Sequence, residues 1–222
     1  MRLDDVTSAA REHSHVPLDD DEIEELKDVW RRRIRHAREQ RSARSREADA
    51  RALAAVVEQI PQVAAARCVT AYAARPGEPA TGPLLEALAA RGIRVLLPVL
   101  GSGLVRDWAE YQGPDDLRER APGRPPEPSG PALGAAAVAA ADVLLIPALA
   151  VDTAGTRLGQ GGGWYDRALR EARAGAPAIA LTYAEEVHDS GTDPLPRADH
   201  DRPVDAVATP SGVTWFSPPA AG

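Results

Sequence analysis

The chain has 222 residues, of which 44% are hydrophobic and 27% charged, enough to bury one sizeable core in one domain or two small ones. Its net charge of −7 argues against a general nucleic-acid binder. The single cysteine, Cys68, excludes an internal disulfide, and with no signal peptide and no run of about 18 apolar residues the expectation is an unexported cytoplasmic protein that does not enter membranes.

Residues 1–26 carry nine acidic and two basic side chains, whereas residues 27–51 carry ten basic and four acidic. Residues 1–17 show no periodicity and too little apolar content to offset the entropy of ordering, so a disordered acidic tail is expected. An α/β domain is expected over 18–216, and the proline-rich end, 217–222, should fray. A helix should start around Leu18 to Asp21 with carboxylates in its first turn. Ile23, Leu26, Trp30, Ile34 and Ala37 recur at spacings of three and four, which predicts an apolar core-facing stripe opposite an arginine-rich face. Lys27, the only lysine, and Arg31 lie on this helix, where spacing alone reads them as solvated charges.

A second helix is predicted from Arg46 to Gln59, stopping before Pro61. Cys68 to Ala74 and Arg94 to Leu100 read as strands, with a helix from Leu84 to Ala90, closed by Gly92, between them. That order implies a right-handed parallel crossover. Gly101 to Pro131 is loop-rich, with a short strand expected within Leu104 to Tyr111 and six prolines after it that resist regular structure. Glu127-Pro128 reads as a structural turn, and Ala132 to Ala141 as a small-residue helix or turn.

Val143 to Val151 is continuously apolar, as expected of a strand buried on both faces. The following loop holds Asp152, Gly155, Arg157, Gly159, Gly161, Gly162 and Gly163, and Trp164 to Arg173 has helical composition. A strand, a glycine-rich turn and a helix start can hold an anion: loop N–H groups converge, the first helical turn adds partial positive charge, and Arg157 adds a full one. A plain glycine-rich connection has the same spacing. No Gly-Lys pair exists, so the loop is not a Walker A motif, and Trp164 stands where a dinucleotide fingerprint needs glycine. Ala176 to Tyr183 reads as another strand and Asp205 to Thr209 as the last. The expected architecture is α/β: a mostly parallel sheet of about five strands, flanked by helices on both faces as a single three-layer domain, with an N-terminal helical arm and the ligand at the carboxyl ends of the strands.

Pro147 to Asp152, followed by Gly155 to Arg167, resembles the signature of the 5-formyltetrahydrofolate cyclo-ligase (methenyltetrahydrofolate synthetase) family. Lys27-Asp-Val-Trp-Arg31, Glu78 and His200-Asp201 follow the family's order, and the resemblance covers about 22–210. Val151, Gln160, Trp164 and Pro79 depart from its usual residues. The resemblance implies ATP-dependent ring closure of 5-formyltetrahydrofolate to 5,10-methenyltetrahydrofolate, with release of ADP and phosphate. It implies catalytic roles for Lys27 and Arg157. It further places Lys27, Arg31, Arg157, Leu158, Gly159, Gln160, Gly161, Gly162, Gly163, Trp164 and Tyr165 at ATP. Glu78, Gln160, Gly161, Gly162, Gly163 and Trp164 fall at the folate, and Asp166 and Asp201 on Mg²⁺. A monomer acting on a small molecule is expected. Two alternatives stay open: a family member with altered or lost folate activity, and a polyanion-binding module built on the basic segment 27–51.

Overall fold

In the computed structural model, residues 19–100, 106–121 and 123–216 are described; the expected tail and the C-terminal end, 217–222, lie outside the described residues. The strands are β1 (Cys68–Thr70), β2 (Arg94–Leu100), β3 (Arg106–Glu110), β4 (Val143–Pro147), β5 (Ala150–Asp152), β6 (Arg157–Leu158), β7 (Ala178–Leu181), β8 (Val187–His188), β9 (Ala206–Thr209) and β10 (Gly212–Trp215). The helices are α1 (Asp20–Glu39), α2 (Ala43–Glu58), α3 (Pro61–Ala64), α4 (Gly82–Ala90) and α5 (Trp164–Glu171).

Alternation along the strands divides the interior into two cores. Val69, Val95, Leu97, Leu145 and Leu181 point to one face and pack with Leu53 and Val57 of α2 and Leu84, Leu85 and Leu88 of α4. Leu96, Leu144, Ile146, Ala180 and Val207 point to the other and pack with Trp108, Val138, Ala168 and Leu169. Because period-two side chains serve both faces, the central strands must be apolar throughout. Fully burying each of these Val, Leu or Ile side chains contributes about 1.5–3 kcal/mol relative to leaving it exposed.

The main sheet has the order β10-β9-β7-β4-β1-β2-β3. Its middle five strands are parallel, and β3 and β10 pair antiparallel at the edges. The three layers and the predominantly parallel sheet agree with the expected α/β class. A second sheet, β6-β5-β8, is smaller.

Several boundaries differ from expectation. The first strand ends at Thr70 rather than Ala74, and the last expected strand is followed by β10 through a tight turn at Pro210-Ser211. Ala135–Ala140 forms a 3-10 turn. The apolar run from Val143 to Val151 is two strands, not one. After Pro147 the chain leaves the main sheet, and Leu149 N donates instead to Leu158 O at 2.8 Å. The carbonyls of Ala148 and Leu149 accept from the buried Arg38 guanidinium, at 2.8 and 3.4 Å. Arg157 and Leu158, expected in a loop, form β6.

Helix α1 starts as expected, with Asp19 and Glu22 in a reciprocal capping box (3.0 and 2.8 Å) that satisfies two otherwise free backbone donors. Its buried face is turned away from the one expected and shares only Ile34 with it. Lys27, Arg31, Ile34 and Arg38 are buried, at i, i+4, i+7 and i+11 on one side of the helix. Leu26 and Val29 are 42% and 52% exposed, Ala37 is exposed, and Ile23 and Trp30 are half-buried. Ile34 and Trp30 pack with Leu149, Ala150, Leu158 and Leu195, whereas Lys27, Arg31 and Arg38 meet carboxylates and carbonyls.

Candidate active site

Residues at or just beyond the carboxyl ends of β1, β2 and β4 (Tyr72 and Ala73, Pro98 and Leu100, Pro147 and Ala148) line a cleft of about 570 Å³ that α1, the 159–163 loop and α5 complete. Every residue that the resemblance placed in the site lines it: Lys27, Arg31, Glu78, the whole run from Arg157 to Asp166, and Asp201.

Arg157 is delivered by a hairpin that Asp152 shapes. The buried Asp152 carboxylate accepts from Ala154 N (3.0 Å) and Thr156 N (2.9 Å) through Oδ1, and from Leu195 N (3.2 Å) through Oδ2. Gly155 turns the chain at φ 81°, and a Cβ there would meet Val204 O at 2.7 Å. The Arg157 side chain is 3% exposed. Its Nη2 donates to Asp166 Oδ1 at 3.0 Å and its Nη1 to Pro147 O at 3.4 Å, while Nε is buried with no partner among the described residues.

A Cβ at Gly159 would lie 2.8 Å from Arg157 Nη1, so this glycine is where the guanidinium passes the loop. Gly159→Ala should displace Arg157 rather than unfold the chain, since a side-chain end can shift. We expect kcat/KM to fall by about 10- to 100-fold, the scale for a roughly 1 Å misplacement, with the thermal midpoint little changed.

α5 begins at Gly163 (φ 56°), and no side chain caps it. Its first-turn N–H groups therefore add partial positive charge at the cleft. On the other side, Lys27 Nζ lies 2.6 Å from Asp201 Oδ2 and 2.8 Å from Glu24 Oε1. Burial opposes the ammonium charge, but hydrogen bonds and charge from Asp201 and Glu24 outweigh it, so the Lys27 pKa is raised and the group stays protonated. Arg31 holds Asp28 (2.7 Å), Glu24 (3.2 Å) and Gly159 O (3.1 Å). Glu78 accepts from Gln160 Nε2 at 3.1 Å and from Arg75 N at 2.9 Å.

Burial, reinforced by the Glu78 charge, pushes the phenols of Tyr72 and Tyr165 well up, so both remain neutral donors. Trp164 stands edge-on to Trp108 (4.9 Å) and Tyr165 (4.8 Å) and packs against the second core. Its Nε1 is buried without a partner among the described residues.

Asp166 and Asp201 are each paired with a cation. Among the described residues no group of three or more His, Cys, Asp or Glu could hold a metal. Two carboxylates still suit Mg²⁺, which takes most of its oxygens from water and substrate phosphates. His200 also lines the cleft, with Nε2 3.8 Å from Asp201 Oδ1.

Sequence reading missed Arg75, Arg167 and Arg170 in the lining. The spacing of 164, 167 and 170 on one helix face was the available signal for the last two. Six cationic and four acidic side chains line the cleft of a chain whose net charge is −7; the excess favours an anionic ligand.

A model of the 5-formyltetrahydrofolate cyclo-ligase family matches residues 23–210. The chain belongs to this family. The cyclo-ligase of Mycolicibacterium smegmatis is 41% identical over 149 residues, covering 65% of this chain and 74% of that protein. That of Escherichia coli (strain K12) is 33% identical over 170 residues, covering 69% and 83%. The NMR structure of Aquifex aeolicus 5,10-methenyltetrahydrofolate synthetase superimposes with a TM-score of 0.72 at 25% identity, covering 89% of this chain and 94% of that one. This cyclo-ligase chain has, among its described residues, no helix long and apolar enough to cross a membrane.

Proposed function

We propose that the chain closes 5-formyltetrahydrofolate to 5,10-methenyltetrahydrofolate in a reaction driven by ATP, as a cytoplasmic monomer. An N-formyl group is an amide: its carbon is a poor electrophile and its oxygen a poor leaving group until that oxygen is phosphorylated. The formyl oxygen takes the γ-phosphoryl group of ATP and ADP departs. N10 of the folate then adds to the activated carbon, loses its proton, and phosphate leaves with the former formyl oxygen.

The protein's part is to position groups and neutralise charge. The observation that carries the reading is the convergence on one cleft of Lys27 and Arg31 from α1, Arg157 from β6 and the uncapped start of α5. Phosphate oxygens would replace the carboxylates that these cations now hold. Leu158, Gly159, Gln160, Gly161, Gly162, Gly163, Trp164 and Tyr165 form the wall against the nucleotide. Glu78 with Gln160, Gly161, Gly162, Gly163 and Trp164 would face the folate. Asp166 and Asp201 would hold Mg²⁺, which when bound neutralises charge on the phosphates.

The polyanion-binding reading has less support. Lys27, Arg31, Arg35, Arg38 and Arg41 of the basic segment all hold partners within the chain.

The test is the absorbance of methenyltetrahydrofolate, expected to appear from 5-formyltetrahydrofolate only when Mg-ATP is present; a folded sample that forms none refutes the assignment. Asp166→Asn should raise the Mg²⁺ concentration needed for half-maximal rate, because a neutral amide ligates a hard cation more weakly. An unchanged requirement would remove Asp166 from the metal site.

A further inference from the structure

Gln160 is tied from two sides, and the two ties differ in kind. Arg35, on α1, has only donors to offer. Its Nε and Nη2 reach Gln160 Oε1 at 3.2 and 3.0 Å, and Nη2 also reaches the Gln160 backbone oxygen at 3.2 Å. A donor-only partner settles which end of the amide carries oxygen. The nitrogen end therefore faces Glu78, and Nε2 donates to Glu78 Oε1 at 3.1 Å. Arg75 N occupies the other carboxylate oxygen at 2.9 Å. Glu78, 8% exposed, is thus held at both oxygens and keeps acceptor capacity for a ligand.

The same contact is a partition. A recess of about 240 Å³ adjoins the main cleft, and Arg75, Glu78 and Gln160 line both cavities, whereas Arg35 lines the recess alone. The Gln160–Glu78 hydrogen bond crosses the boundary between the two spaces, and Arg35 braces it from behind.

We propose that Arg35 is a positioning residue for the folate end of the cleft. It fixes the Gln160 amide so that this side chain presents its N–H to Glu78 and holds the carboxylate where the folate meets it. The inference rests on the cyclo-ligase reading and on Glu78 facing the folate. Arg35 touches neither substrate; it acts through Gln160.

A latch that only fastened α1 would give a different result, because loosening α1 would also disturb Lys27 and Arg31 and weaken nucleotide binding. The experiment is calorimetric titration of the full chain with 5-formyltetrahydrofolate and, separately, with Mg-ATP, for the wild type, Arg35→Ala, Arg35→Lys, Gln160→Leu and the Arg35→Ala/Gln160→Leu double variant. Removing a charge-assisted brace should raise the folate Kd about five- to tenfold, change the Mg-ATP Kd by clearly less, since Gln160 also borders the nucleotide, and leave the thermal midpoint unchanged. Arg35→Lys should recover part of the loss. The double variant should be no worse than Gln160→Leu alone, since the brace has then lost its object.

An unchanged folate Kd in Arg35→Ala, an equal loss toward Mg-ATP, or additive losses in the double variant would each overturn the proposal. A wild type that binds folate but does not turn it over would count against the cyclo-ligase reading while these variants still judge the brace. No folate binding by the wild type overturns both.

Discussion

Arg157→Ala is expected to lower kcat by about 10²–10³, equivalent to about 2.7–4 kcal/mol, the scale for losing one preorganised charge-stabilising donor. The guanidinium is 3% exposed, so little water screens it from charge that develops on a transferring phosphoryl group. It arrives already oriented: Asp166 and Pro147 O hold its two terminal nitrogens, and Gly159 leaves the space it fills. Arg157→Lys should recover only part of the rate, because an ammonium supplies a point charge without the planar fork. Steady-state kinetics at saturating Mg-ATP and folate, on protein whose circular dichroism matches the wild type, provide the check. Turnover close to wild type would take Arg157 out of the chemistry.

Glu186→Ala should cost about 3–5 kcal/mol of stability, because it strands the buried Arg38 charge. Arg38 and Glu186 form a two-bond pair at 2.6 and 2.7 Å, with side chains 4% and 6% exposed. The carboxylate also accepts from Tyr183 N at 3.0 Å and from the Thr182 hydroxyl. The guanidinium also donates to the Ala148 and Leu149 carbonyls, so no member of the network is idle. Since Arg38 shares a helix face with Lys27 and Arg31, activity should fall together with stability. Replacing both partners, Arg38→Met with Glu186→Leu, should restore much of the loss, because removing both charges leaves neither stranded. The urea midpoint of each variant tests this; a Glu186→Ala midpoint equal to wild type would mean that the pair contributes nothing to folding.

The basic helix shows where sequence reading failed and why. Period-3.6 reasoning assigns the apolar side inward on the assumption that the neighbour is apolar. Here only Ile34 and Trp30 meet apolar neighbours; carboxylates and carbonyls lie beside them, so Lys27, Arg31 and Arg38 turn inward, while Leu26 and Val29 face solvent. The central apolar run failed for a related reason. Hydrophobicity does not mark the point at Pro147 where the chain changes partners, because both sheets bury their strands. Of the residues that line the cleft, those of the glycine turn were more legible, since the turn holds them in consecutive positions. Arg35 and Arg38 were not, because their partners lie 125 and 148 residues away and an arginine on a helix gives no sign of which distant carboxylate or amide it will meet.

By itself the sequence determined the helices α1, α2, α4 and α5, the parallel heart of the sheet, the glycine turn that meets α5, and the side chains able to neutralise an anion there. Those follow from local periodicity, turn chemistry and residue type, all of which act over a few positions along the chain. Tertiary structure alone decided which face of α1 is buried, that Arg38 answers Glu186, and that Arg35 reaches Glu78 through Gln160. Such pairings depend on distances between elements far apart in sequence, and a buried charge or amide takes whichever partner the assembled fold brings within about 3 Å.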